Sequence, residues 1–152
     1  MTEVKPEDLR PLHVGCPEGS GPSHAEIIRV AVAVVCKGSS VLVGQRGNEG
    51  PLPGLAEFPG GKCLPDESPQ QCAVRECREE TGLAVAVHQQ IEEVEHAYPH
   101  GRLRIAFFLC EPLEDSEPRP PFQWIPISDL ASLAFPEANR SLLKKLLQHA
   151  VS

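Results

Sequence analysis

Gly61-Lys-Cys-Leu-Pro-Asp-Glu67-Ser-Pro-Gln-Gln-Cys-Ala-Val-Arg75-Glu76-Cys-Arg-Glu79-Glu80-Thr-Gly82-Leu83 is the stretch that decides how this chain folds. Ser68 is a good helix N-cap, Pro69 suits the first helical position and Gly82 suits a C-terminal cap. Those signals predict a helix over 69–81. On it Glu76, Glu79 and Glu80 stand at i, i+3 and i+4, so the three carboxylates share one face. Like charges at that spacing destabilise a bare helix. A hard divalent cation, Mg²⁺ or Mn²⁺, resolves the conflict, because such ions take oxygen ligands. The opposite face offers Ala73, Val74, Cys77 and Thr81 to a core. Just upstream, Pro59-Gly60-Gly61 reads as a tight backbone turn of the kind glycine tolerates best. A carboxylate cluster under a glycine turn suits cleavage of a phosphoanhydride.

Outward from the helix, strands are expected on both sides. Ile27–Cys36 is a β-rich run, Gly38-Ser-Ser40 a turn and Val41–Arg46 the returning strand. Gly47–Gly54 is a Gly/Pro-rich loop. Leu83–Val87 and Gln90–Tyr98 read as two strands, Pro99-His100-Gly101 as a turn and Leu103–Cys110 as a buried strand. Residues 111–121 hold Pro112, Pro118, Pro120 and Pro121 and read as an exposed loop. Phe122–Ile125 is a short strand, and Ile127–Leu133 a turn of helix. Pro136 opens a C-terminal helix striped by Leu142, Leu143, Leu146 and Leu147. The fold class is therefore mixed α/β (α+β), a central mixed sheet with helices on both sides. Residues 1–24, with prolines and no apolar period, are expected to form an extended or poorly ordered arm ahead of a single domain over 25–150.

Bulk composition narrows the function. A net charge of −7 argues against a nucleic-acid polymer as partner, since a duplex binder presents a basic face. It leaves room for a small phosphorylated substrate handled by a metal and local cations. The six cysteines show no paired metal-ligand spacing, and Cys72 and Cys77, five apart on one helix, point in different directions. Free thiols in a reducing compartment are expected. No signal segment and no membrane-length apolar run is present, so the expectation is a cytoplasmic protein without membrane partners. The oligomeric state is left open.

Gly61-x5-Glu67-x7-Arg75-Glu76-Cys77-x-Glu79-Glu80-x-Gly82-Leu83 is similar to the Nudix box, the signature of the Nudix hydrolases. Cys77 departs from it, standing where the family carries a bulky aliphatic residue. A cysteine there still buries as a small hydrophobe. Beyond the box, Glu57–Lys62, His96-Ala-Tyr-Pro99, Trp124 and Phe135-Pro-x-Ala-Asn139 resemble the MutT branch, so the likeness covers roughly 26–147. A non-catalytic binding module of this fold would carry a damaged box, and this one is intact. A calcium-binding domain would need a loop of alternating Asp/Asn ligands, which is absent from the sequence.

The resemblance implies an α/β/α sandwich and a Mg²⁺- or Mn²⁺-dependent nucleoside triphosphate pyrophosphohydrolase acting on a small-molecule nucleotide. It implies Glu76, Glu79 and Glu80 as catalytic metal ligands, joined by the carbonyl of Gly60, with one of the three, Glu76 the first choice, also activating water. Arg75 matches an arginine that braces the glutamates, and Glu67 matches a structural position. Arg46 matches a phosphate-binding arginine, with a strand-end surface charge as the other reading, and Lys62 is a second cation nearby. Glu57, Phe58 and Asn139 match places that contact the base. An asparagine amide reads a base edge with both donor and acceptor, although Asn139 also suits the first turn of a helix opened by Pro136. The MutT branch removes oxidised guanine nucleotides such as 8-oxo-dGTP, while other members act on pyrimidine nucleotides such as CTP. Ala56 replaces a large apolar residue beside the base. A fourth catalytic glutamate has Glu117 as its nearest counterpart.

Overall fold

In the computed structural model, residues 26–45, 55–99, 101–136 and 139–151 are described. The expected arm over 1–24, Arg46 and His100 lie outside them. The strands are β1 (Glu26–Lys37), β2 (Ser40–Gln45), β3 (Ala56–Glu57), β4 (Gly60–Lys62), β5 (Val85–Tyr98), β6 (Gly101–Pro112) and β7 (Phe122–Pro126). The helices are α1 (Pro69–Thr81) and α2 (Arg140–Val151), with a 3₁₀ turn over Ile127–Ser132.

The strands form one seven-stranded sheet in the order β3-β2-β1-β6-β5, with β4 added to β1 and β7 to β2. β1 and β6 run parallel, from Glu26 opposite Gly101 to Val35 opposite Cys110, and the other pairings are antiparallel. The sheet is thus mixed, as expected.

β1 explains the layering. Its run is apolar at nearly every position because both sides of the strand are covered. Val30, Val32 and Val34 face one layer, with Phe107, Leu142 and Leu146. Ala31, Ala33 and Val35 face the other, where Cys72, Ala73 and Cys77 of α1 pack. The small side chains of Ala31 and Ala33 let α1 approach closely, and α1 is the helix that carries the carboxylates.

Two expectations are corrected. The strands read as Leu83–Val87 and Gln90–Tyr98 are one strand, β5, whose register against β6 shifts between Val87 and Gln89 and again between Gln90 and Glu92. A β-bulge breaks the alternation of a strand without ending it, so one kinked strand mimics two. The second helix begins at Arg140 rather than at Pro136. Asn139 precedes it, its N–H donating to the carbonyl of Pro136 at 2.9 Å.

Candidate active site

The site is built on α1 and the strand that passes beneath it. At the N-terminus of α1 the Gln71 N–H donates to Ser68 Oγ at 3.1 Å, and the Ser68 N–H donates to Gln71 Oε1 at 3.0 Å. This reciprocal capping box satisfies two N–H groups the helix leaves open. Gly82 ends the helix at φ +82°, with its N–H on the carbonyl of Arg78. Arg119 then adds a cation at that end, where the helix dipole is negative. Its Nη1 donates to the Glu79 carbonyl at 2.9 Å, and its backbone N–H donates to that of Thr81 at 2.9 Å. The proline-rich loop is exposed, but it is tied to α1 through Arg119.

Glycine matters at residues 60 and 61 for a reason the sequence did not disclose. Neither has positive φ, and both lie in β4. The requirement is close approach. A Cβ on Gly60 would stand 2.6 Å from the Ala31 carbonyl oxygen, and one on Gly61 would stand 2.5 Å from the Glu76 carboxyl carbon. The expected tight turn is therefore a strand pressed between β1 and a carboxylate.

Glu80 accepts a hydrogen bond from the Gly60 N–H at 3.1 Å. Burial, with the neighbouring Glu76 carboxylate adding to it, pushes the Glu80 carboxyl up to about 9. The Glu76 and Glu80 carboxyls are therefore close enough to interact. Glu79 is 58% exposed and turns to Arg75. Among the described residues, no group of three or more histidine, cysteine, aspartate or glutamate side chains converges enough to hold an ion as it stands. The donors are nonetheless all oxygens, and a half-buried carboxyl kept protonated beside a second one is the chemistry of a site completed by a cation.

Arg75 organises the face. Its Nε and Nη2 donate to the two oxygens of Glu67 at 2.6 and 2.9 Å, a bidentate pair. Its Nη1 reaches Glu76 at 3.1 Å and Glu79 at 3.2 Å, and Nη2 also donates to the Lys62 carbonyl at 3.2 Å. Glu67 also accepts from the Leu64 N–H at 2.9 Å. Arg75 is the main reason its carboxyl falls to about 2. Arg29 holds the same loop from β1, donating to the carbonyls of Glu67 at 3.0 Å and Leu64 at 2.8 Å. Sequence reading missed Arg29 and Arg119, because both act on backbone carbonyls more than thirty residues away. The capping box was visible as Ser68-x-x-Gln71.

The remaining candidates are distributed around this face. Lys62 is half-buried in β4, opposite Val30. Glu57 pairs with Gly44 in β3 and is 4% exposed. Phe58 is 2% exposed, its ring stacked on Phe135 at 5.0 Å between centroids. That stack and the Ala56 N–H on the Ala134 carbonyl bring the segment before Asn139 to the strand that precedes the glycines. Asn139 is half-buried. Glu117 is exposed in the proline-rich loop. A groove of about 440 Å³ between β5 and α2, lined by residues such as Ile91, Lys145 and Leu146, lies on the other side of the sheet from α1. Among the described residues no helix is long and apolar enough to cross a membrane.

Comparison with known proteins agrees with this geometry. Residues 30–145 match the NUDIX domain. The 8-oxo-dGTP diphosphatase of Escherichia coli K12 is 29% identical over 124 residues, covering 78% of this chain and 95% of that protein. The CTP pyrophosphohydrolase of the same organism is 39% identical over 66 residues, covering 43% of this chain and 49% of that protein. A solved MutT structure, from work on the Aliivibrio salmonicida and Vibrio cholerae proteins, superposes with a TM-score of 0.66 at 28% identity, covering 80% of this chain and 96% of that one. With a matching domain across most of the chain, a like fold and an intact box, this chain belongs to the Nudix hydrolase family as a MutT-like member.

Proposed function

We propose that this enzyme is a Mg²⁺-dependent nucleoside triphosphate pyrophosphohydrolase that acts on oxidised purine nucleotides, converting 8-oxo-dGTP to 8-oxo-dGMP and pyrophosphate. The observation that carries the reading is the half-buried Glu80 carboxyl, held by the Gly60 N–H beside Glu76, which itself lies directly against Gly61. Glu76, Glu79 and Glu80, with the Gly60 carbonyl, would hold the cation. When bound it would neutralise charge on the pyrophosphate bridge and ease ionisation of the attacking water. Glu76 would be the base that accepts a proton from the attacking water. Arg75, anchored on Glu67, aims Glu76 and Glu79 and limits their mutual repulsion. Lys62 and Arg46 are assigned to the phosphates, and Glu57, Phe58 and Asn139 to the base. For Phe58 that contact runs through its backbone, since the ring is buried against Phe135.

A second reading, hydrolysis of CTP or dCTP, is favoured by the 39% identity to a CTP pyrophosphohydrolase. The two separate in a panel of 8-oxo-dGTP, dGTP, CTP and dCTP compared by kcat/KM, with products identified by chromatography. The oxidised purine is expected to lead. A preference for cytosine nucleotides would remove the purine-edge role of Asn139, and release of inorganic phosphate alone would overturn the pyrophosphohydrolase reading.

A further inference from the structure

Away from the carboxylates, two thiols meet where β4 hands over to α1. Cys63 follows β4, its N–H donating to the Arg29 carbonyl at 2.8 Å. Cys72 lies in the first turn of α1, and its Sγ donates to the carbonyl of Gly61 at 3.5 Å, two residues before Cys63. Arg75 Nη2 closes the same corner, 4.0 Å from Cys72 Sγ and 3.2 Å from the Lys62 carbonyl. Cys63 packs against the apolar layer in which Cys72 is buried, and it stands two residues along the chain from the Gly61 carbonyl that Cys72 touches. Cys72 is fully buried, whereas Cys63 is only half-buried.

We propose that Cys63 and Cys72 form a peroxide-responsive thiol pair, and that the disulfide joining them lowers turnover at the adjacent carboxylate site. An accessible thiolate next to a resolving cysteine is the arrangement of redox-sensitive sites. When the Cys72 S–H turns from the Gly61 carbonyl to the Cys63 sulfur it favours the Cys63 thiolate, and the Arg29 and Arg75 guanidinium groups add to that. Burial instead raises the thiols of Cys36, Cys77 and Cys110.

In the first step the Cys63 sulfur attacks hydrogen peroxide. An S–O bond forms, the O–O bond breaks, and the displaced oxygen leaves as water with the thiol proton. The Cys72 sulfur then attacks the sulfenic acid. The S–S bond forms, the S–O bond breaks, and a second water leaves with the Cys72 proton. Two electrons pass from the sulfurs to one peroxide. The disulfide has no S–H, so the Gly61 carbonyl loses its Cys72 donor. Gly61 rests directly on the Glu76 carboxyl, so a shift there reaches the carboxylate face.

The test uses the full chain and a convenient feature of its sequence: trypsin cuts after Lys62 and after Arg75, so one peptide, Cys63–Arg75, carries both thiols. After stoichiometric hydrogen peroxide, alkylation and digestion, that peptide is expected two hydrogens lighter, unalkylated, and restored by dithiothreitol. This readout needs no substrate, so it stands apart from the proposed activity. Hydrolysis of whichever nucleotide the reduced chain accepts is expected to fall roughly tenfold or more, to recover on reduction, and to stay constant under peroxide in Cys63→Ser and Cys72→Ala. Two alkyl groups on the peptide after peroxide, or a sulfinic acid on Cys63, would overturn the pairing. Equal loss of activity in wild type and Cys63→Ser would overturn its effect.

Discussion

Glu80 carries a conflict between stability and chemistry that can be measured. Its folded carboxyl titrates at about 9, against an ordinary value of 4.5, because burial disfavours the charge. A raised folded value means the native state binds the proton more tightly, so this contribution is full below about 4.5 and is lost as pH rises toward 9. In chelator, wild-type stability is therefore expected to fall from pH 5 to pH 8 relative to Glu80→Gln, with the variant melting higher at pH 8. The same variant is expected to lose roughly 10²–10³-fold in kcat, the scale of removing a charge-stabilising group. Thermal melts and Mg²⁺-dependent turnover check both halves, and near-full activity would remove Glu80 from the chemistry. The neighbouring glycines differ in kind. Gly61→Ala sets its Cβ against a side-chain carboxyl, which can move, so a folded protein with impaired turnover is expected. Gly60→Ala strikes the backbone of Ala31, which cannot, and soluble yield and melting temperature should fall.

At the scale of elements, α1 stands on its caps and on Arg75. Ser68→Ala removes the Oγ that receives the Gln71 N–H, and it is expected to cost about 1 kcal/mol. For a domain of this length that is about 3 °C in melting temperature. Activity per folded molecule should hold, because the carboxylates sit two turns further along. A melting temperature unchanged within 0–1 °C (~0.3 kcal/mol) would mean water replaces the cap. This helix was legible in the sequence to the residue, since capping and glycine rules depend only on neighbours in the chain. The 69–81 expectation matches the observed bounds. β5 was legible as strand but not as one strand, because its register shifts answer to β6 rather than to its own neighbours.

For the whole molecule, a ligand that binds only the folded state raises its stability by mass action. Mg²⁺ or Mn²⁺ is therefore expected to raise the melting temperature of the chelator-treated protein. At a hundred times its Kd the gain is about 2.7 kcal/mol. Glu76→Gln combined with Glu80→Gln should abolish it, and an equal rise in that double variant would place the ion elsewhere. The amino-acid sequence by itself determined the helix, the three carboxylates on it, the apolar strand at the centre and the family they belong to. Each of these rests on spacing within a few residues, or on a pattern of identities that survives divergence. Tertiary structure alone decided that Gly60 and Gly61 are required by contact rather than by φ, and that Glu79 turns to Arg75 while Glu76 and Glu80 share a half-buried corner. It alone decided that Phe58 is spent on Phe135, that Arg29 and Arg119 hold carbonyls far away in the chain, and that Cys63 meets Cys72. These depend on which surfaces the sheet presses together, and no local rule encodes the distance between β1, β4 and α1.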